Sequence, residues 1–204
     1  MPDPTSYKTI ENEAEGLFKA KGSKFLAFAS VIYDEENAKA FIKKIAAQHH
    51  KARHVCFAYR IGLDGNLFRA NDAGEPSGTA GQPIIGQIDS FGLSNIIVVV
   101  VRYFGGTKLG IPGLIQAYRE AAKDALHHAT IIEKNVQRFY KLKFPYTRMN
   151  DIMSLLKQVD THFINQNFDS TCNIECSVPL RHSQTLETRM GIFNDVTFKT
   201  LFDR

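Results

Sequence analysis

Residues 102–113 combine glycine with cationic side chains in a pattern that could hold an anion. Pro112 stands where a helix could begin, and the first amides of a helix lack internal partners and carry the positive end of its dipole. The spacing fits neither the phosphate-loop pattern nor the dinucleotide fingerprint. The glycines could instead only let the chain reverse tightly and pack a helix on a sheet. The residues that favour an anion site are Arg102, Gly105, Gly106, Lys108 and Gly110.

A second candidate site is the polar, glycine-rich loop at residues 69–81. Its carboxylates and hydroxyls could bind a cation or take part in acid-base chemistry. The same residue types also cap their own turns in solvated loops, so a purely structural loop is the alternative. The residues concerned are Asp72, Glu75, Ser77 and Thr79.

Other kinds of chemistry find little support in the residue spacing. Ser77 lies in Pro-Ser-Gly-Thr and not in a nucleophile-elbow pattern, and His50 and His54 are expected to be separated by a helix-to-strand transition. Cys172 and Cys176 would share one face of a strand about 13 Å apart, too far to bridge. We therefore expect no catalytic residue, no metal site and no cofactor.

The composition is that of an ordinary soluble protein, with a formal net charge of +4 over 204 residues. This charge is milder than in most dedicated nucleic-acid binders, but it permits a local basic patch. The N-terminal residues show no secretory signal, and three cysteines fit reduced thiols better than a disulfide framework. We expect a cytoplasmic protein that does not associate with membranes.

The elements that position the two candidate sites lie in the first part of the chain. Residues 96–101 form a continuous β-branched run that predicts a strand buried on both faces. Asp64 and Gly65 predict a hairpin turn, and Asp34 and Thr79 are candidate helix N-caps. The predicted order is a strand from residue 15 to a turn near Gly22, strand 24–32, a helix capped by Asp34 that ends near His50, strand 54–62, strand 67–70, helix 79–90, strand 96–101 and helix 112–129.

The composition changes at Lys134 and Asn135, which predicts domains at residues 1–134 and 135–204. The second domain reads strand, helix, strand, strand, helix, strand, the βαββαβ order of a ferredoxin-like fold. Asn150 or Thr147 is a candidate cap of its first helix and Ser183 of its second.

Four motifs occur in order along the chain: Lys-Gly-Ser-Lys-Phe at 21–25, Ala-Arg-His at 52–54, and the segments 71–81 and 98–110. Together they closely resemble the bacterial YigZ branch of the IMPACT family. The resemblance covers the first domain throughout and extends to the second. The family usually has a glycine pair after Leu-Gly-x, whereas this chain has Pro112 followed by Gly113.

The resemblance implies an α+β fold in both domains. The first would be similar to the second domain of a small-subunit ribosomal protein and to domain IV of elongation factor G, and the second to domain V of that factor. It also implies RNA or the ribosome as a target and leaves room for a protein partner in translation control. The protein partner of the eukaryotic members is not expected here, because those proteins carry a different extra domain.

The leading hypothesis is a non-catalytic regulator or accessory factor of translation that binds RNA or a ribonucleoprotein. One rival is an enzyme or binder of a phosphorylated small molecule or nucleotide, using the loop at 72–79 and the turn at 105–110. A protein-interaction module with an exposed apolar sheet face is a third possibility. The cationic residues expected to contact RNA phosphates are Lys21, Lys24, Arg69, Arg102 and Lys108.

Overall fold

The computed structural model describes residues 5–63 and 65–203, which form a mixed α+β structure in two compact units. One unit spans residues 7–134, and the other combines residues 135–203 with residues 5 and 6. The α+β class expected from the sequence is confirmed. The predicted turn at Asp64 and Gly65 includes Asp64, which lies outside the described residues.

The first unit has an antiparallel sheet and, apart from it, a pair of short strands. In chain order the elements are β1 (Ser6–Ile10), β2 (Ala14–Ala20), β3 (Ser23–Val31), α1 (Glu35–Gln48), β4 (His54–Ile61), β5 (Leu67–Asn71), α2 (Gly81–Ser90), β6 (Ile96–Tyr103), α3 (Gly110–His128) and β7 (Ile131–Asn135). The short strands β1 and β7 pair with each other, and neither was expected from the sequence.

Strand β6 is the centre of the main sheet, whose strand order is β2-β3-β6-β4-β5. Its β-branched run is fully buried, as predicted, because helices cover both faces. Ile96, Val98 and Val100 pack in the core shared with α2 and α3, whereas Ile97, Val99 and Val101 pack in the core under α1. The parity of a side chain on β6 therefore decides which face of the sheet it reaches.

Helix α1 begins as predicted, because the Asp34 side chain accepts a hydrogen bond of 2.6 Å from the amide of Asn37. The prediction that Thr79 caps α2 is wrong. The Thr79 hydroxyl donates to the carbonyl of Pro76 at 2.7 Å, and Ala80 occupies the N-cap position. Helix α3 begins at Gly110, two residues before the predicted start at Pro112.

The second unit is a sheet with strand order β11-β8-β10-β9, packed on one face against two helices. Its βαββαβ element order agrees with the prediction. Cys172 and Cys176 are buried in the same core and are free thiols, as expected. The elements are β8 (Gln137–Pro145), α4 (Met149–Gln158), β9 (His162–Phe168), β10 (Thr171–Pro179), α5 (Leu180–Met190) and β11 (Thr197–Asp203).

The predicted caps of the two helices in this unit are wrong. Arg148 and Pro179 occupy the N-cap positions of α4 and α5, and neither makes a side-chain capping hydrogen bond within the described chain. Ser183 lies inside α5 and is buried, because that helix begins three residues earlier than its polar sequence suggested.

Candidate anion-binding cavity

The ends of three strands bring Phe25, His54 and Arg102 side by side. In the sheet register Arg102 on β6 is opposite Phe25 on β3 and opposite His54 on β4. Directly opposed residues of antiparallel strands project to the same face. Arg102 has the same parity as Val98 and Val100, so these three side chains lie on the face covered by α3.

Arg102 forms a buried ion pair with Glu75 from the loop between β5 and α2. The Arg102 Nη1 lies 2.7 Å from the Glu75 Oε1, and the two side chains are 8% and 4% exposed. The Tyr118 hydroxyl, from α3, donates to the same carboxylate oxygen at 2.8 Å. The guanidinium also lies over two aromatic rings, 5.5 Å from the centroid of Phe25 and 5.6 Å from that of Phe104. Loop, sheet and helix are thus joined at one buried charge pair.

The Cys56 thiol belongs to the same network but is not activated. Its Sγ lies 3.3 Å from the Tyr118 hydroxyl and 3.0 Å from the carbonyl of Asp72. Burial raises the pKa of Cys56 to about 12, with further contributions from the nearby carboxylates. Burial also raises the pKa of Tyr118. Because the thiolate is the nucleophilic form of cysteine, this thiol is unsuited to nucleophilic chemistry near neutral pH.

Asp72 holds the shape of the polar loop. Its Oδ1 accepts hydrogen bonds from the amides of Ala80 at 2.9 Å and Gly81 at 2.8 Å, and its Oδ2 accepts one from Gly78 at 2.8 Å. Partial burial raises the pKa of this carboxyl, but the three amides outweigh it and hold the pKa below its usual value. Asp72 therefore supplies the cap of α2 that the sequence had assigned to Thr79.

The glycine turn after β6 packs directly against the turn between β2 and β3. A Cβ on Gly105 would lie 1.9 Å from the backbone carbon of Gly22, and the Gly105 amide donates to the Ser23 hydroxyl at 3.1 Å. Gly22 itself has a positive φ of 79°. The two glycine-containing motifs at 21–25 and 98–110 thus form one contact, with Lys21 on the turn between β2 and β3 and Lys24 near the start of β3.

A cavity of about 820 Å³ opens beside this network. Arg102 and Glu75 form part of its wall, and the exposed residues around it are mainly cationic or apolar. Phe104 and Ile111 are 57% and 58% exposed. The remaining lining residues are Lys51, Arg53, His54, Pro76, Tyr103, Lys108, Leu109, Gly110 and Leu114.

The N-terminus of α3 borders the same cavity. Leu109, at the N-cap position, makes no side-chain capping hydrogen bond in the described part of the chain. The amides of Gly110 and Ile111 are therefore available to an anion, whereas Pro112 has no N–H to offer. The His54 Nδ1 donates to the carbonyl of Ala73 at 3.0 Å, so in the neutral ring Nε2 is the acceptor nitrogen.

The structure brings together only some of the residues predicted to bind an anion. Lys108 and Gly110 line the cavity, and Gly105 and Gly106 form the turn before it. Arg102 reaches the cavity but is not a free surface cation, because Glu75 neutralises it. Arg69 is opposite Tyr59, whose side chain lies in the core under α1, so Arg69 projects to the other face of the sheet.

The four residues of the predicted loop site do not come together in one place. Glu75 faces the cavity, but its carboxylate is occupied by Arg102 and Tyr118. Asp72 is occupied by three amides, Thr79 is buried, and Ser77 is exposed. Asp72 and Thr79 therefore bond within their own loop, as expected for a loop whose polar residues have a structural role.

Sequence reasoning missed the contributions of Lys51, Arg53 and His54. The motif at 52–54 was a visible signal, but its role depends on the pairing of β4 with β6, which local spacing does not reveal. Phe104 was missed as well, because a single aromatic residue in a glycine turn has no distinctive spacing.

Residues 5–63 and 65–203 include no group of three or more histidine, cysteine or acidic side chains arranged to hold a metal ion. No described helix has the length and apolar character needed to cross a membrane.

Comparison with known proteins accounts for the shared motifs. The Impact N-terminal domain model matches residues 21–126, which include the whole cavity lining. The chain belongs to the IMPACT family. Family member YvyE of Bacillus subtilis (strain 168) is 34% identical over 88% of this chain and 82% of its own length. Member YigZ of Escherichia coli (strain K12) is 33% identical over 85% of this chain and 86% of its own.

A solved structure is similar over the full length of this IMPACT family chain. It is described as the crystal structure of an hypothetical protein, with a TM-score of 0.77 and 29% sequence identity, and it covers 98% of each chain. Both units of the present structure therefore have counterparts in one experimental structure.

Proposed function

We propose that this protein is a non-catalytic, cytosolic regulator or accessory factor of translation that binds RNA, free or within a ribonucleoprotein, through the unit at residues 7–134. The observation that carries the proposal is the cavity edged by Lys51, Arg53 and Lys108 with the exposed ring of Phe104. Cationic side chains provide affinity for the phosphate backbone, and an aromatic ring can stack on any base.

The fold analogy supports translation as the setting. We propose that residues 7–134 resemble the second domain of a small-subunit ribosomal protein and domain IV of elongation factor G. We also propose that residues 135–204 are a ferredoxin-like domain similar to domain V of that factor. This support is an analogy, because a fold does not by itself determine function.

The contacts within the site favour binding over catalysis. Glu75 Oε1 accepts from Arg102 and Tyr118, both carboxylate oxygens of Asp72 accept from amides of the loop, and the pKa of the buried Cys56 thiol is about 12. None of these three groups is poised to accept a proton from a substrate or to attack one.

The test is the affinity for single-stranded RNA, measured by fluorescence anisotropy. We expect the triple variant Lys51→Gln/Arg53→Gln/Lys108→Gln to bind at least about tenfold more weakly than the wild type, since three phosphate contacts are lost. The matched control is Lys39→Gln/Lys43→Gln, which removes exposed charges from α1. Equal affinity of the triple variant and the wild type would exclude this surface, and co-sedimentation with ribosomes tests the proposed setting.

A second candidate function is the binding of a phosphorylated small molecule. The observation that favours it is the cavity volume of about 820 Å³, which lies within the range typical of small-ligand sites. A ligand that binds only the folded state raises the melting temperature by mass action. A screen of nucleotides and sugar phosphates that gives no thermal shift at millimolar concentration would dismiss this candidate.

A further inference from the structure

Arg102 has hydrogen-bonding capacity that the fold leaves unused. A guanidinium carries five N–H donors, and Nη1 donates to Glu75. The side chain is only 8% exposed, and its buried Nε has no hydrogen-bond partner among the described residues. Buried donors are normally satisfied, so this one points to an acceptor that the chain itself does not supply. Arg102 lies in the cavity wall, which is where such an acceptor would enter.

Three more donors for an anion are found around the same cavity. The amides of Gly110 and Ile111 are the first two of α3, a helix of 19 residues, and Lys108 lies just before them. A helix N-terminus with uncapped amides attracts anions, and a neighbouring ammonium adds to that attraction. The donor set of one guanidinium, two amides and one ammonium suits the oxygens of a single phosphate group.

The rest of the lining suits a nucleoside attached to that phosphate. Phe104 and Ile111 are exposed apolar side chains at the cavity, and Leu109, Leu114 and Pro76 complete its apolar wall. A volume of about 820 Å³ lies within the range of small-ligand sites and is large enough for one nucleotide. A terminal phosphate monoester carries about −1.5 to −2 charge with three acceptor oxygens, more than an internal diester.

We infer that the cavity binds the phosphorylated terminal nucleotide of an RNA strand, with the phosphate at Arg102, Lys108 and the N-terminus of α3 and the base against Phe104. The inference rests on the RNA binding proposed above. It adds that the protein reads the chemical state of an RNA end.

The experiment compares short single-stranded RNAs that differ only at one end. Four oligonucleotides of one sequence carry a 5′-phosphate, a 5′-hydroxyl, a 3′-phosphate or a 3′-hydroxyl, with the fluorophore on the opposite end. We expect the full-length protein to prefer a phosphorylated end by about tenfold, the effect of one charge-assisted hydrogen bond. Lys108→Gln should reduce that preference toward one, whereas the α1 variant Lys39→Gln should retain it.

The outcomes separate this inference from the proposed function. RNA binding that is tight but indifferent to both ends would overturn end recognition and leave RNA binding intact. No RNA binding at low salt would overturn both. A mononucleotide that raises the melting temperature while the matching phosphorylated RNA does not bind would assign the cavity to soluble nucleotides and overturn the inference.

Discussion

Arg102 and Glu75 form a buried ion pair in the cavity wall, with side chains 8% and 4% exposed. Removing one partner leaves an uncompensated buried charge, which costs about 3–5 kcal/mol. We expect Arg102→Met to lower the free energy of unfolding by that amount in urea titrations. The exposed pair Lys44–Glu13 is the control, and Lys44→Ala should cost no more than about 1 kcal/mol.

A double variant tests the cause of that loss. Arg102→Met/Glu75→Leu removes both charges and should recover much of the stability, because apolar residues often replace a buried pair at little cost. A double variant as unstable as Arg102→Met alone would show that the unpaired carboxylate is not the source of the destabilisation.

The buried thiols give a second residue-scale prediction. Burial raises the pKa of Cys56 and of Cys176 to about 12 each. At about pH 8 the thiolate fraction is then on the order of a thousandfold lower than for a free cysteine. We expect alkylation by iodoacetamide, followed by mass spectrometry, to modify these residues only after denaturation. Rapid labelling of Cys56 in the native protein would mean that the thiol is activated.

At the residue scale, the cationic turn could be predicted from the sequence, but the pairing of Arg102 with a buried carboxylate could not. Arg102 follows a buried strand, and its partner Glu75 is 27 residues away in a loop whose path local patterns do not determine. Arg102, expected to be a free cation, is therefore paired with Glu75 inside the protein. Of the exposed cations beside it, Lys51 and Arg53 come from the connection between α1 and β4, which the sequence did not indicate as part of the site.

At the element scale, Asp72 links the polar loop to the start of α2. We expect Asp72→Asn to lower stability at neutral pH by about 1–3 kcal/mol, because the Asn side chain has one acceptor oxygen where the carboxylate uses two, so an amide donor is left unpaired. Because the folded-state pKa of Asp72 is depressed, its contribution is full above the unfolded value of about 4 and is lost as pH falls through the folded value. The difference between the two proteins in urea titrations should thus shrink as the pH falls below about 4. A difference that stays constant as the pH falls would contradict the capping role.

The contact between the two glycine turns gives a second element-scale prediction. A Cβ at Gly105 would lie 1.9 Å from the backbone of Gly22, so Gly105→Ala must push the turns apart and should cost about 1–3 kcal/mol. Gly86 in α2 is the matched control, because a Cβ there meets nothing within 4 Å. Gly86→Ala should raise the melting temperature through its better helix propensity. A Gly105→Ala protein as stable as the wild type would show that this contact is not tight.

Helices and strands were predicted correctly where the sequence carries a strong local signal, and missed where the signal is weak. Strand β6 and helix α1 were found because a long apolar run and an Asp cap are local signals. Strands β1 and β7 were missed because each is short and mixed in composition, and they pair across the whole length of the unit. The caps of α2, α4 and α5 were wrong because side chains near a helix start can bond elsewhere, as Thr79 does.

At the scale of the whole molecule, the formal charge of +4 does not by itself indicate a nucleic-acid partner. What supports RNA binding is the concentration of Lys51, Arg53 and Lys108 around one cavity, in a unit whose remaining charges are nearly balanced. No single segment of the sequence contains this cluster, since it is assembled by the connection between α1 and β4 and by the turn after β6.

The most direct test of RNA binding by this cavity is the dependence of RNA affinity on salt concentration. Each phosphate contact with single-stranded RNA contributes a slope of about −0.7 to a plot of log K against log salt. We predict that Lys51→Gln/Arg53→Gln/Lys108→Gln makes this slope shallower by about 2 units, while Lys39→Gln/Lys43→Gln leaves it unchanged. Identical slopes for the wild type and the triple variant would contradict the claim that RNA binds at this cavity.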